Sequence, residues 1–152
     1  MRIIIQRVQK AQVEVNQKIV GKIGAGYLLL VGIHDSDTPA ILERMAQKVA
    51  QLRIFDDEMG RMNLSLLDVQ GSVLSISQFT LFADAKKGNR PSFSEAGEPN
   101  FSKEMYQLFN QQLRKLNINV EEGIFAADMK VSLLNDGPVT IYLDSKEMSW
   151  GK

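Results

Sequence analysis

The chain has 152 residues, 44% of them apolar, and 18 basic against 18 acidic side chains, a formal net charge of zero. This suits one compact domain with its own core and argues against a protein that coats nucleic acid by non-specific phosphate contact, since such chains are strongly basic. With no Cys and a single His, His34, the chain excludes disulfides, thiolate nucleophiles, thiolate zinc sites and a His metal cluster, and leaves room for at most one His-based catalytic unit.

Ile3 to Val8 is rich in β-branched residues, and Gln12-Val13-Glu14-Val15 alternates polar and apolar. Asn16-Gln17 can turn that run back into Lys18-Ile19-Val20, so a strand and hairpin are expected at the start. Gly24, Ala25 and Gly26 break the pattern. Tyr27 to Ile33 then reads as a strand buried on both faces. It is far short of a membrane span, and Ile3-Ile4-Ile5 is too short for a signal-peptide core. A cytoplasmic protein without membrane association is expected.

A helix follows, with Thr38 as its cap and Pro39 in the first helical position. Ile41, Leu42, Met45, Val49 and Leu52 recur at helical spacing. Asp56 to Gly60 is turn material, Met62 to Leu67 is ambiguous, and Ser72 to Phe82 reads as one long strand. Ala83 to Asn100 holds Gly88, Pro91, Gly97 and Pro99; a loop this long inside a compact domain is usually functional or disordered. A second helix fits Phe101, Met105, Leu108, Phe109, Gln112 and Leu116. Two strands, Lys130 to Leu134 and Val139 to Leu143, flank a Gly-Pro turn. No repeat, low-complexity tract or domain boundary interrupts residues 1–152. The expected class is α+β: a single compact domain, mainly antiparallel or mixed sheet or barrel-like sheets, with two packed helices.

Two segments break local rules. Ser77, Gln78 and Thr80 place polar groups in a stretch that otherwise reads as buried strand, with Val73, Ser75, Ser77, Phe79 and Leu81 on one face. Unpaired buried polar groups cost a few kcal/mol, so these are either a hydrogen-bonded core network or the polar wall of a pocket. Gly137-Pro138 reads as a tight turn, in which a cis bond is the minority state. Lys86-Lys87-Gly88-Asn89-Arg90 is a basic cluster on the long loop, either solvated or a phosphate contact. Asp56-Asp57-Glu58 lacks calcium-loop spacing and reads as a charged turn. His34 reads as structural, and no Gly-x-Ser-x-Gly motif is present.

Taken together, Gln6-Arg7-Val8, Ser77-Gln78-Phe79-Thr80-Leu81, Lys86-Lys87-Gly88-Asn89-Arg90-Pro91-Ser92-Phe93 and Asn135-Asp136-Gly137-Pro138-Val139-Thr140 resemble, in order and spacing, the motifs of the D-aminoacyl-tRNA deacylases. The resemblance runs from Met1 to about Asp144. One departure stands out: Phe125-Ala126-Ala127-Asp128-Met129 carries Ala126 where many members have Gly, which narrows any pocket there and bears on substrate preference.

The resemblance implies a homodimeric hydrolase that needs no cofactor or metal. Its substrate is an aminoacylated tRNA, bound at the 3′ acceptor end. It cleaves the ester of a D-amino acid, or of glycine. A cis Gly137-Pro138 peptide is presented by one subunit to the other's active site, where its carbonyls reject an L side chain. Arg7 supports that motif. Ser77, Gln78, Phe79 and Thr80 form the catalytic strand; Phe125, Ala127, Met129 and Asn135 line the pocket; Lys86, Lys87 and Arg90 contact tRNA. For the chemical step two routes stay open. Thr80 is a nucleophile, which needs an adjacent base, or the tRNA 2′-OH activates water while N–H groups near Phe79 and Thr80 hold the oxyanion. The scarcity of side-chain bases favours the second. An RNA-binding module without activity and a small-molecule esterase are the competing readings.

Overall fold

The computed structural model describes residues 1–150. Strand β1 (Arg2–Val15) is the axis of a six-stranded mixed sheet nearly closed into a barrel. Along one edge it pairs antiparallel first with β3 (Gly26–Gly32) and then with β2 (Lys18–Ile23). Along the other edge it pairs with the C-terminal strand β8 (Lys130–Asp144) from Arg2 to Glu14. Beyond β3 lie β6 (Ser72–Ser77) and β7 (Val120–Glu122), both parallel to their neighbours. A separate two-stranded ribbon joins β4 (Phe55–Asp56) to β5 (Met62–Leu64). The β1–β2 hairpin turns at Asn16 and Gln17, both at positive φ (51° and 66°), the geometry that matches strand twist in a two-residue loop.

Helix α1 (Pro39–Gln51) starts as its sequence dictates: Thr38 Oγ1 accepts from the Ile41 N–H at 3.3 Å and Pro39 opens the first turn. Helix α2 (Pro99–Lys115) is capped by Glu98, whose carboxylate accepts from the Asn100 and Phe101 N–H groups. Both helices cover one face of the sheet. Ile3, Ile5, Leu29 and Val31 meet Leu42, Met45, Phe109 and Leu113 there. A smaller cluster of Val8, Val13, Leu28, Leu74 and Ile76 occupies the opposite face. Strand β1 contributes to both because its pairing with β8 is irregular at Gln6/Val8 and Val8/Lys10. An irregularity shifts the two-residue alternation, so the apolar side changes face along one strand.

Three expectations need correction. Ser72 to Phe82 is not one strand: β6 ends at Ser77, and Phe79–Phe82 forms a 3-10 turn. Its partner β3 stops at Gly32, and after the Gln78 N–H donates to Val31 O at 2.8 Å no strand remains to pair with. Gly137-Pro138 does not reverse the chain between two strands. Asn135 and Thr140 both pair along β1, opposite Val8 and Gln6, so residues 136–139 bulge out of one continuous strand opposite Arg7. The short strand β7 was not expected, since Val120-Glu121-Glu122 carries no alternation. Among the described residues, no helix is long and apolar enough to cross a membrane.

Candidate active site

A cavity of about 700 Å³ opens at the C-terminal ends of the parallel strands β3 and β6. Ser77, Gln78 and Phe79 form one wall, and Phe125, Ala126, Ala127 and Met129 another. The second wall is a turn closed by the Ala127 N–H donating to Ile124 O at 3.1 Å. Its third residue, Ala126, holds φ at +65°, a conformation that glycine takes without steric cost. The long loop supplies a third wall through Phe93, Ala96, Gly97 and Glu98. The sequence names none of these loop residues as pocket lining; the loop's length, with its glycines and prolines, reads only as functional or disordered. Their seating explains the position: Gly97 N–H donates to Ile33 O at 2.9 Å and Glu98 N–H to Asp35 Oδ1 at 2.8 Å, which ties the loop to the end of β3.

The 3-10 turn gives the rim its chemistry. Phe79 is 56% exposed and meets the Phe93 ring edge-on, centroids 5.1 Å apart. Thr80 is exposed, and the side-chain partner of its hydroxyl is the Gln78 amide. An amide is not a base, so the side chain bonded to the Thr80 hydroxyl cannot take its proton. The Gln78 side chain accepts from no backbone N–H of the turn it caps, and among the described residues the Phe79 and Thr80 N–H groups donate to no other group. Phe79 lines the cavity, and Thr80 follows it one residue beyond the lining; N–H groups without an internal acceptor are the kind of donor that an oxyanion needs.

The Gly137-Pro138 bulge is built separately. Its peptide is cis and Gly137 has φ +125°. Arg7, 6% exposed, holds it from beneath: Nε donates to Asp136 O at 3.1 Å and Nη1 to Ile54 O at 2.7 Å. Asp56 and Asp136 carboxylates lie 3.5 and 3.6 Å from the guanidinium. Asn135 staples the bulge, donating from Nδ2 to Arg7 O at 2.9 Å and to Val139 O at 3.0 Å. Contrary to the expectation from the sequence, Asn135 therefore does not line the cavity; its side chain is spent on the backbone of the bulge. Neither Gly137 nor Pro138 lines the cavity of its own chain.

The remaining named residues fall elsewhere. Lys86, Lys87 and Arg90 are exposed on the tip of the long loop, which a bridge between Asp84 and Ser92 pinches shut. His34 bonds Ser36 through Nδ1 at 2.7 Å, lies 3.6 Å from the Glu95 carboxylate and packs its ring against Phe82. Asp57 caps a turn: the Arg61 N–H, ahead of the opposing effect of burial, holds its carboxyl below the usual range, with further donation from Met59.

The mixed sheet thus carries a cavity lined by one sequence motif and, apart from it, a bulge braced by a guanidinium. The family described as D-Tyr-tRNA(Tyr) deacylase matches residues 4–144, and the chain belongs to it. Among relatives, it is 57% identical to the D-aminoacyl-tRNA deacylase of Lactobacillus acidophilus, over 95% of this chain and 99% of that one. It is 54% identical to the D-aminoacyl-tRNA deacylase of Thermomicrobium roseum, over 99% and 98% of the two chains. Among solved structures, the c-Myc DNA Unwinding Element Binding Protein superposes with a TM-score of 0.89 at 40% identity, covering 95% of this chain and 98% of that one. A probable eukaryotic D-amino acid tRNA deacylase shares the fold at a TM-score of 0.84 and 16% identity, covering 93% and 97%.

Proposed function

We propose that the protein is a cytoplasmic D-aminoacyl-tRNA deacylase, which hydrolyses the ester between a D-amino acid, or glycine, and the terminal ribose of tRNA. The observation that carries this reading is the match of residues 4–144 to a family described by that chemistry. In the proposed reaction, water adds to the ester carbonyl and the tetrahedral oxyanion is held by the Phe79 and Thr80 N–H groups. The ribose 2′-OH orients and activates the water, and the proton that water gives up ends on the departing 3′ oxygen. Free amino acid and tRNA leave. Positioning the vicinal hydroxyl beside the ester supplies much of the barrier reduction. Thr80 shapes the rim without attacking, a reading supported by its Gln78 partner.

Chirality is read by the Gly137-Pro138 bulge of a second subunit, whose backbone carbonyls stand where an L side chain would point. A backbone wall rejects by overlap, which exceeds the 1–3 kcal/mol or so of a single apolar contact. Action in trans is supported by the absence of both residues from the lining of their own cavity. The protein is accordingly proposed to be a homodimer.

Hydrolysis of D-tyrosyl-tRNA and L-tyrosyl-tRNA tests the reading: the D form is cleaved and the L form survives, and equal turnover would overturn it. Thr80→Ala keeps substantial single-turnover activity, while a substrate lacking the free vicinal hydroxyl binds and reacts far more slowly. A dead Thr80→Ala of intact fold, with normal cleavage of the deoxy substrate, would make Thr80 the nucleophile instead.

A further inference from the structure

The 3-10 turn is four residues long, and such turns have poor internal hydrogen-bond geometry. The last backbone–backbone bond to a neighbouring strand is made just before it, by the Gln78 N–H. Yet two N–H groups at the rim need a fixed direction, since preorganised donors stabilise a charge only when they need not reorient. Something outside the turn must hold it.

The support is a row across the sheet. Asp144 on β8, Arg2 on β1 and Gly32 on β3 are neighbours in register. Gly32 leaves a gap that the turn fills: a Cβ there would lie 3.0 Å from Phe82 Cε2, 3.1 Å from Gln78 O and 3.2 Å from Leu81 Cβ. The turn thus rests on the backbone of β3. Beside it, Arg2 reaches over the far end. Its Nη1 donates to Leu81 O at 2.9 Å, and its guanidinium lies 4.6 Å from the centre of the Phe82 ring. Nε donates to Asp144 Oδ2 at 3.2 Å, which aims the fork. Asp144 is itself fixed, being buried and accepting from the Lys146 N–H at 2.9 Å.

We propose that Arg2, aimed by Asp144, is a positioning residue for deacylation, clamping Leu81 O and the Phe82 ring so that the Phe79 and Thr80 N–H groups keep their direction at the cavity rim. Arg2 does not line the cavity and acts through the turn. A planar fork can bond two oxygens in different directions and stack on a ring at once; a lysine ammonium cannot do all three. The proposal rests on the deacylase reading for its kinetic consequence, but the clamp itself is measurable without substrate.

The experiment compares wild type, Arg2→Met and Arg2→Lys by single-turnover hydrolysis of D-tyrosyl-tRNA, by its concentration dependence, and by amide hydrogen exchange. Arg2→Met is expected to slow the chemical step about 10- to 100-fold, the scale of a small misplacement of catalytic groups, with little change in half-saturating substrate. Exchange at residues 78–83 speeds up while α1 keeps its protection. Arg2→Lys, which retains the charge over the ring, recovers part of the rate. Wild-type rate and wild-type protection at 78–83 in Arg2→Met would overturn the proposal. So would a rate loss matched by faster exchange throughout α1, which is general destabilisation; should Arg2→Met not fold, Arg2→Lys decides by the same pair of readouts. No hydrolysis by wild type would sink the deacylase reading, and exchange at 78–83 would then decide the clamp alone.

Discussion

Gly137 sits where a side chain has no room. A Cβ there would lie 2.7 Å from Val139 Cγ2 and 3.1 Å from Arg7 Nη2, at a φ of +125° that L residues rarely adopt. Gly137→Ala should therefore destabilise the fold by roughly 1–3 kcal/mol, the usual cost of such a backbone state, as read from urea denaturation. Because the methyl presses on the guanidinium that holds Asp136 O and Ile54 O, the proposed chiral wall moves as well. Deacylation should fall much further than stability does. An alanine variant as stable and active as wild type would mean that the bulge has another shape. Arg7 was legible as support for the motif only through family resemblance. Its acceptors could not be read at all, because Ile54 O is a backbone atom far along the chain.

At the scale of elements, the long loop does two separate jobs. Its second half walls the cavity through Phe93, Ala96 and Gly97, and its pinched tip carries Lys86, Lys87 and Arg90 into solvent. If the tip touches phosphate, as the family resemblance implies, the triple alanine variant should bind tRNA more weakly. Every phosphate that these side chains neutralise adds about 0.7–0.9 of a unit to the salt slope, so the variant's slope should be flatter by that amount per phosphate. Unchanged affinity and slope, measured by filter binding over a salt series, would remove the tip from the tRNA interface. Helix α1 was fully legible because Thr38, Pro39 and the apolar spacing are local signals. The end of β6 was not. Apolar residues continue through Leu81 and Phe82, and what stops the strand is the end of its partner at Gly32, a long-range fact. The bulge reads as a reversal in the sequence for the same reason: only pairing with β1 shows that both halves of β8 run the same way. Asn135 belongs to the pocket by proximity in the motif, whereas in the fold its amide is used up on Arg7 O and Val139 O.

Across the whole molecule, burial leaves a pH signature. Burial pushes the Tyr27 phenol well above its ordinary 10.0, against a smaller opposing pull from the Arg7 guanidinium. Burial likewise raises Tyr106, whose hydroxyl donates to Ser75 O at 2.6 Å. As pH climbs past the unfolded value, the unfolded chain sheds these protons first, so it binds fewer protons than the folded one. Stability from these groups is thus fully present below about pH 10 and falls as pH rises toward the folded values. The denaturation midpoint should drop on the alkaline side of that point and, as far as these phenols set it, stay level just below; Tyr27→Phe should soften the drop. The start of β1 is also tied to the segment just after β8: the Met1 ammonium, buried, bonds Asp37 at 2.5 Å and Ser145 Oγ at 2.7 Å, and the Ser145 N–H returns to Met1 O. That closure, together with the pairing of β1 and β8 from Arg2 to Asp144, sets an order of events during synthesis. Of the described strands, the first made is the axis of the sheet, and one of its two edges stays bare until β8 has left the ribosome. Sheets dominated by such distant pairings fold slowly, and an unpaired edge is open to wrong partners meanwhile. The nascent N-terminal half should accordingly be a client of chaperones until residue 144 is free, and a chain truncated before β8 should aggregate rather than fold.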